Sequence, residues 1–301
     1  MFKNFLIKII KLMPSKFIEI IWNEKTKNHD YQIIEYWQDK FTSYQSWSPP
    51  SIPSISDIEH YEHVIKELQP FRTLVLGSTP ALRDLAAKHS QEHIVADISL
   101  GAIIGFLQLT KYVNPTKEIW LKANWLKLPL PDRYFDCIVG DMVLSQIEWK
   151  DYQLFLREMN RLLRKNGRII TRCTYYDKKY INKDSQLIIE DTLEKFKNQP
   201  KLGKELLLRR LQGKFIDSNK KINNIKIINA LRRHGVICHN KSHQGIENII
   251  NLTTPSWTRL TKEELFSLLK EQFFIDGIHI GNEHEDAEMF PIFVLRSYKR
   301  G

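Results

Sequence analysis

The chain has 301 residues, 42% of them hydrophobic, which is enough for one large domain or two modest ones. Its formal net charge of +10 favours anionic surfaces or anionic ligands. No apolar run approaches the roughly 20 residues needed to cross a bilayer, so a membrane-spanning helix is not expected. The three cysteines, Cys137, Cys173 and Cys238, are odd in number and two lie in strand-like runs. We therefore expect buried thiols in a reducing, cytoplasmic compartment, with neither a disulfide framework nor a zinc site.

Residues 1–55 are predicted to form an N-terminal helical arm and linker. Within residues 1–22, apolar side chains recur at helical spacing between lysines, which is typical of an interfacial helix on an anionic membrane. A helix packed on the domain or on a second subunit shows the same pattern and is the favoured interpretation. Further along, four aromatic residues at three- or four-residue spacing predict one apolar helix face that folds over the mouth of a ligand site: Trp37, Phe41, Tyr44 and Trp47.

A Pro- and Ser-rich stretch then leads into residues 56–175, which are predicted to form the core, with Ser56 or Asp57 capping a first helix. Residues 73–76 form an apolar strand that ends at Gly77, and a second strand ends at Asp97 about 20 residues later. That spacing is typical of a sheet that places an acid on a ribose. Thr79 suits a helix N-cap and Pro80 the first helical position. Together these features predict a nucleoside-binding crevice.

Three more strands are predicted over 118–122, 135–140 and 168–173, with a helix over 151–164 that ends at Asn166-Gly167. This alternation of strand and helix predicts a mostly parallel sheet. Residues 176–254 break the alternation and are predicted to form an inserted, basic helical cap. Residues 255–301 are predicted to complete the core with a helix opened by a capping box at Thr261 and Glu264, and with an antiparallel hairpin of strands 275–280 and 290–296.

Four segments in this order resemble the class I S-adenosylmethionine-dependent methyltransferases: residues 76–82, Asp97, residues 124–136 and residues 155–168. The resemblance covers residues 50–175 well and 255–301 moderately. It departs from the usual first motif, because Val75 stands in the place of an acid while Thr79 and Ala81 replace glycines. The resemblance implies an α/β, Rossmann-like fold with a seven-stranded, mostly parallel sheet, an antiparallel edge hairpin, the arm and the cap.

The resemblance also implies S-adenosylmethionine as cofactor, and it implies a set of binding residues. These are Leu76, Gly77, Ser78, Thr79, Pro80, Asp97, Ile98, Asn124, Trp125, Asp141 and Met142. Asp97 would accept hydrogen bonds from the ribose hydroxyls, Trp125 would stack on the adenine unless it is only a core residue, and Asn124 would hydrogen-bond to the adenine.

Asp141 is the candidate catalytic residue, because it ends the fourth strand at the edge where chemistry usually takes place. It would bind the sulfonium side of the cofactor or orient a substrate nucleophile, and otherwise it caps the short helix that follows. Arg172 would either meet a substrate anion or pair with Asp141.

The implied function is methyl transfer to a small or medium-sized metabolite held under the cap. Alternatives left open are an RNA or protein methyltransferase that uses the basic cap and a non-catalytic partner subunit. No recognition motif supports a nucleic-acid partner, and the cap arginines Arg209, Arg210, Arg232 and Arg233 are typical of a solvated face. A nicotinamide-dependent dehydrogenase is disfavoured, because two glycines that a pyrophosphate requires are missing. His234, His239 and His243 are candidate bases, with a surface position favoured for each.

Overall fold

The computed structural model describes residues 28–236, 257–283 and 286–298. The amphipathic segment 1–22, Cys238, His239 and His243 lie outside these ranges. The described helices are α1 (Asn28–Trp37), α2 (Ile55–Leu68), α3 (Pro80–His89), α4 (Leu100–Leu107), α5 (Tyr152–Leu162), α6 (Ser185–Lys195), α7 (Pro200–Lys214), α8 (Asn224–Arg233) and α9 (Lys262–Lys270). The described strands are β1 (Arg72–Leu76), β2 (Glu92–Asp97), β3 (Ile119–Lys122), β4 (Phe135–Asp141), β5 (Leu163–Arg172), β6 (Tyr175–Tyr176), β7 (Leu260–Thr261), β8 (Phe273–His279) and β9 (Ile292–Ser297).

Seven strands form one sheet in the order β3-β2-β1-β4-β5-β9-β8. The first five pair in parallel, whereas β9 runs antiparallel to both β5 and β8. The predicted fold class is therefore confirmed, including the antiparallel edge hairpin. Strands β6 and β7 form a small separate parallel pair.

The central strands are buried on both faces, as expected when helices cover a parallel sheet on each side. Leu74 and Leu76 of β1 face a core that α5 and α9 complete, while Val75 between them faces a core shared with α2, α3 and α4. A third apolar cluster holds the cap together, joining Tyr180 to residues of α6, α7 and α8. The two described cysteines, Cys137 and Cys173, are buried free thiols, as predicted.

The predicted end of the fifth helix is wrong. Helix α5 ends at Leu162, and Asn166-Gly167 lie inside β5. The reason is pairing with β4: the Tyr134 N–H donates to the Leu162 carbonyl at 2.8 Å, and Leu163 pairs with Phe135. Gly167 allows this close approach, because a Cβ there would lie 2.8 Å from the backbone oxygen of Asp136.

The cap of α2 is also corrected. Ser54, and neither Ser56 nor Asp57, is the N-cap, and Asp57 sits three residues later. The Ser54 hydroxyl accepts from the Asp57 N–H at 3.1 Å, and the Asp57 carboxylate accepts from the Ser54 N–H at 2.9 Å. Both bonds satisfy N–H groups that a helix start leaves without partners. The capping box predicted at Thr261 and Glu264 is confirmed.

Candidate active site

One large cleft opens where β1, β2 and β4 end, at the carboxyl edge of the parallel strands. Such an edge is where ligands bind in open α/β sheets. Eight of the eleven predicted site residues line the cleft: Leu76, Gly77, Ser78, Thr79, Asp97, Trp125, Asp141 and Met142. Ile98 and Asn124 line an adjoining smaller cavity that Asp97 and Trp125 share. Pro80 is buried at the start of α3 and lines neither cavity.

Gly77 makes the turn between β1 and α3. Its φ of +82° lies in a region that favours glycine, and its N–H donates to the Ala96 carbonyl at 2.9 Å. Thr79 is the N-cap and Pro80 the first residue of α3, as predicted, but the Thr79 side chain makes no capping hydrogen bond. At this turn the backbone of Gly77, with no side chain over it, therefore lines the cleft.

Asp97 is buried where β2 ends. Its Oδ2 accepts from the Ser78 hydroxyl at 3.0 Å and its Oδ1 accepts from the Ser99 N–H at 2.9 Å. Burial disfavours the charged carboxylate and raises the pKa of Asp97 to about 6, although both hydrogen bonds act in the other direction. The two oxygens together have about four acceptor positions, more than these donors fill, so Asp97 can still accept a hydrogen bond from a ligand.

Trp125 lies against the Gly77 turn. Its indole N–H donates to the Ala96 carbonyl at 2.8 Å, and its ring lies 3.7 Å from the place where a Gly77 Cβ would be. The neighbouring Asn124 uses its Oδ1 to accept from the Leu126 N–H at 2.9 Å, which leaves the Asn124 amide N–H groups for a ligand. An aromatic ring fixed in this way provides a flat wall on which a base can stack.

Asp141 pairs with Arg172 at the end of the next two strands. The Arg172 Nε donates to Oδ1 of Asp141 at 2.7 Å and a terminal nitrogen donates to Oδ2 at 3.2 Å. Asp57 also lies 3.3 Å from this guanidinium. Burial lowers the pKa of Arg172, but the Asp141 and Asp57 carboxylates outweigh it, so the pKa lies above its usual value. Asp141 makes no capping bond to the next short helix, whose N-cap is Met142, and Arg172 is the partner of Asp141.

The N-terminal arm forms an aromatic wall over this cleft. Trp37, Tyr44 and Trp47 line it, with the Tyr44 and Trp47 ring centroids 5.4 Å apart. The prediction that these residues share one helix face is wrong, since α1 ends at Trp37 and two 3₁₀ turns follow over Lys40–Thr42 and Tyr44–Ser46. Phe41 instead packs against Gly105 of α4.

The cap closes the cleft with residues that the sequence analysis missed. Glu205, Arg209 and Gln212 from α7 line it, as do Trp257 and Arg259. A signal was present: Glu205, Arg209 and Gln212 recur at positions i, i+4 and i+7 beside the leucines of the same helix, which places them on one face. Other lining residues that it missed are Tyr36, Ser51, Ala102, Phe106, Ser145 and Gln146.

Within the ranges given above, no group of three or more His, Cys, Asp or Glu side chains is placed to hold a metal ion. None of the helices in the same ranges is both long and apolar enough to cross a membrane.

Residues 76–171 match the family model described as "Methyltransferase domain". No curated protein matches the chain. A similar solved structure is N-methyltransferase NodS from Bradyrhizobium japonicum WM9 in complex with S-adenosyl-L-homocysteine; at 14% identity and a TM-score of 0.50, the match covers 90% of this chain and 100% of that one. The PH0226 protein from Pyrococcus horikoshii OT3 matches at 14% identity and a TM-score of 0.50, over 85% of this chain and 98% of its own.

A protein titled a putative Zn-dependent alcohol dehydrogenase from Rhodobacter sphaeroides matches at 12% identity and a TM-score of 0.59, over 91% of this chain and 100% of that one. At such identities the likeness shows the fold alone. The family match identifies residues 76–171 as a methyltransferase domain, and the solved structures share the fold around it. The resemblance noted in the sequence is thereby confirmed.

Proposed function

We propose that this protein transfers a methyl group from S-adenosylmethionine to a small or medium-sized metabolite held between the sheet edge, the arm and the cap. The observation that carries the proposal is the convergence of Gly77, Asp97 and Trp125 on one cleft that other parts of the chain close. The glycine turn lets the ligand approach the protein backbone closely. The buried acid with unused acceptor capacity suits the ribose of a nucleoside, and the fixed aromatic wall suits its base.

In this proposal Asp97 accepts hydrogen bonds from the ribose hydroxyls, and Trp125 and Asn124 bind the adenine. The wall of this site is completed by Leu76, Gly77, Ser78, Thr79, Ile98 and Met142, with Pro80 fixing the start of α3 from behind. Val75 cannot replace the acid usual at its position, because its side chain has no acceptor atom and is fully buried in the core. We assign the contact with the amino group of the cofactor to Asp141, which lines the same cleft.

When bound, S-adenosylmethionine supplies an electrophilic methyl group on a sulfonium. Asp141 then acts as a positioning residue more than as a base, because Arg172 already donates to both of its oxygens. The arm and the cap exclude water from the cleft. The contribution of the chain is therefore orientation of two reactants in a dry site.

The enclosure of the cleft favours a metabolite over RNA or a protein surface. Two of the four cap arginines predicted to be solvated do not lie on the outer surface: Arg210 pairs with Asp286 at 2.9 Å, and the half-buried Arg209 lines the cleft. Neither contributes to a basic surface of the kind that nucleic acid requires. Arg232 and Arg233 at the end of α8 are exposed.

The test is transfer of labelled methyl groups from S-adenosylmethionine into three fractions of a cell extract: molecules below 1 kDa, RNA and protein. We expect label in the small molecules, lost by tenfold or more in Asp97→Asn. Asp136→Asn is the matched control, because Asp136 lies at the opposite, amino end of β4. Label confined to RNA or protein would overturn the assignment of the substrate, and no label in any fraction would argue for a non-catalytic subunit.

A further inference from the structure

Two arginines, Arg209 and Arg259, line the side of the cleft that lies under the cap, which we call the cap wall. Neither forms an ion pair with a carboxylate among the described residues. Arg259 is only 4% exposed. Its backbone N–H donates to the Lys220 carbonyl at 2.8 Å, and its guanidinium makes one described hydrogen bond, to the Thr258 carbonyl at 3.2 Å. No described acidic side chain lies within ion-pair distance of it. A guanidinium carries five N–H donors, so most of the donors of Arg259 remain available to a ligand.

Arg209 approaches the same part of the cleft from α7. Its terminal nitrogens donate to the Ser51 hydroxyl at 3.0 Å and to the Gln212 side chain at 3.3 Å, while its buried Nε has no partner among the described residues. Glu205 lies close enough to raise the pKa of Arg209, but burial outweighs it and the pKa is lowered. Burial, with a further contribution from Arg209, likewise lowers the pKa of Arg259 to about 9.

Three other arginines of the described chain are buried and each has a carboxylate partner, whereas Arg259 is buried and Arg209 is half-buried without one. Arg83 binds Glu118, Arg172 binds Asp141, and Arg210 binds Asp286. A buried cation is unfavourable unless an anion compensates it. Arg209 and Arg259 have between them one nearby carboxylate, on Glu205, and that group makes its hydrogen bond with Ser51 at 2.8 Å. The cap wall therefore carries an excess positive charge that the described part of the chain does not neutralise.

We propose that Arg209 and Arg259 bind a carboxylate or phosphate group of the methyl acceptor, an inference that rests on the proposed function. The planar guanidinium fork is suited to bidentate contacts with such oxyanions. The position favours the acceptor over the cofactor. Both arginines lie outside residues 76–171, on the cap and on the segment that follows it, whereas the groups assigned to the cofactor lie at or just after the ends of β1, β2, β3 and β4. An acidic metabolite is thus the substrate class that this wall selects.

The test uses the full chain saturated with S-adenosyl-L-homocysteine and titrated with inorganic phosphate, and separately with acetate, at constant ionic strength. We expect saturable binding of at least one of these anions. Tryptophan fluorescence can detect this binding, because Trp257 lines the cleft. Arg259→Met and Arg209→Met should each weaken it tenfold or more, and Arg233→Met, at an exposed arginine, should not. Removal of an uncompensated buried charge should also raise the melting temperature of Arg259→Met in the absence of ligands.

A second titration separates the acceptor from the cofactor. Under the proposal, S-adenosyl-L-homocysteine binds wild type and Arg259→Met within threefold of each other. If Arg259→Met weakens S-adenosyl-L-homocysteine tenfold but leaves 5′-methylthioadenosine, which lacks the carboxylate, unchanged, then the arginine serves the cofactor and the proposal is overturned. The proposal would also be overturned if the protein binds S-adenosyl-L-homocysteine to saturation but then shows no saturable binding of either anion. Failure of wild type to bind S-adenosyl-L-homocysteine at all would instead refute the proposed function.

Discussion

Replacement of Gly105 by alanine tests whether the N-terminal arm is docked on the core. Gly105 lies near the end of α4, and a Cβ there would lie 2.7 Å from two ring atoms of Phe41 in the arm. In a helix alone, alanine is more favourable than glycine by about 1 kcal/mol. Overpacking of a well-filled contact costs about 1–3 kcal/mol. The sign of the change in stability therefore depends on Phe41.

We expect Gly105→Ala to be neutral or destabilising by up to about 2 kcal/mol in the wild type, because the steric cost offsets the gain in helix propensity. In a Phe41→Ala background the same change should stabilise by about 1 kcal/mol. The difference, a coupling of about 1–3 kcal/mol, is measured by urea unfolding of the four proteins of the cycle. The coupling persists even if the arm detaches to relieve the clash, because detachment then costs the free energy of docking.

An equal stabilisation by Gly105→Ala in both backgrounds would refute this reasoning. It would mean that Phe41 does not contact α4, and that Tyr44 and Trp47, which belong to the same segment, do not close the cleft. Affinity for S-adenosyl-L-homocysteine is a second readout, since displacement of the arm should open the cleft and weaken binding.

Four further outcomes follow from the site. Burial raises the pKa of Asp97 from its usual 3.8 to about 6 in the folded protein, so wild type should lose stability relative to Asp97→Asn as pH rises from about 4 to 6; thermal unfolding measures this loss. Affinity for S-adenosyl-L-homocysteine, measured by calorimetry, should rise over the same window, since ribose hydroxyls donate to the ionised carboxylate; a flat profile would count against this role. Arg172→Met should cost about 3–5 kcal/mol in urea unfolding, because it leaves Asp141 buried without its cation; a cost below 1 kcal/mol would contradict the pairing. Trp125→Ala should weaken binding about tenfold or more through loss of stacking, whereas Trp125→Phe should weaken it less.

The strands and turns of the core could be predicted because their signals are local. The apolar runs that end at Gly77 and Asp97 encode buried parallel strands, and the Thr261–Glu264 capping box encodes a helix start within four residues. The end of α5 could not be predicted in this way. Asn166-Gly167 has the composition of a helix stop, but pairing with β4, a contact between distant parts of the chain, decides the conformation of these residues.

The residues proposed to bind the substrate were harder to predict than the core, because their positions depend on contacts between distant parts of the chain. The sequence marks Arg209 and Arg210 as one basic pair on a helix, yet the fold turns Arg210 towards Asp286 and Arg209 towards the cleft. The partner of Arg210 lies 76 positions away in the chain, so no local pattern indicates which of the two is neutralised. Asp141 and Arg172 end neighbouring strands, and for that reason their pairing was among the alternatives that the sequence could suggest.

The most direct test of the central claim is calorimetric titration of wild type, Asp97→Asn and the control Asp136→Asn with S-adenosylmethionine and S-adenosyl-L-homocysteine at pH 8. The account predicts that both ligands bind wild type and Asp136→Asn alike, and that Asp97→Asn binds them at least tenfold more weakly, a loss of about 1.4 kcal/mol or more. No binding of either ligand to folded wild type, or equal binding by Asp97→Asn, would contradict a cofactor site built on Asp97.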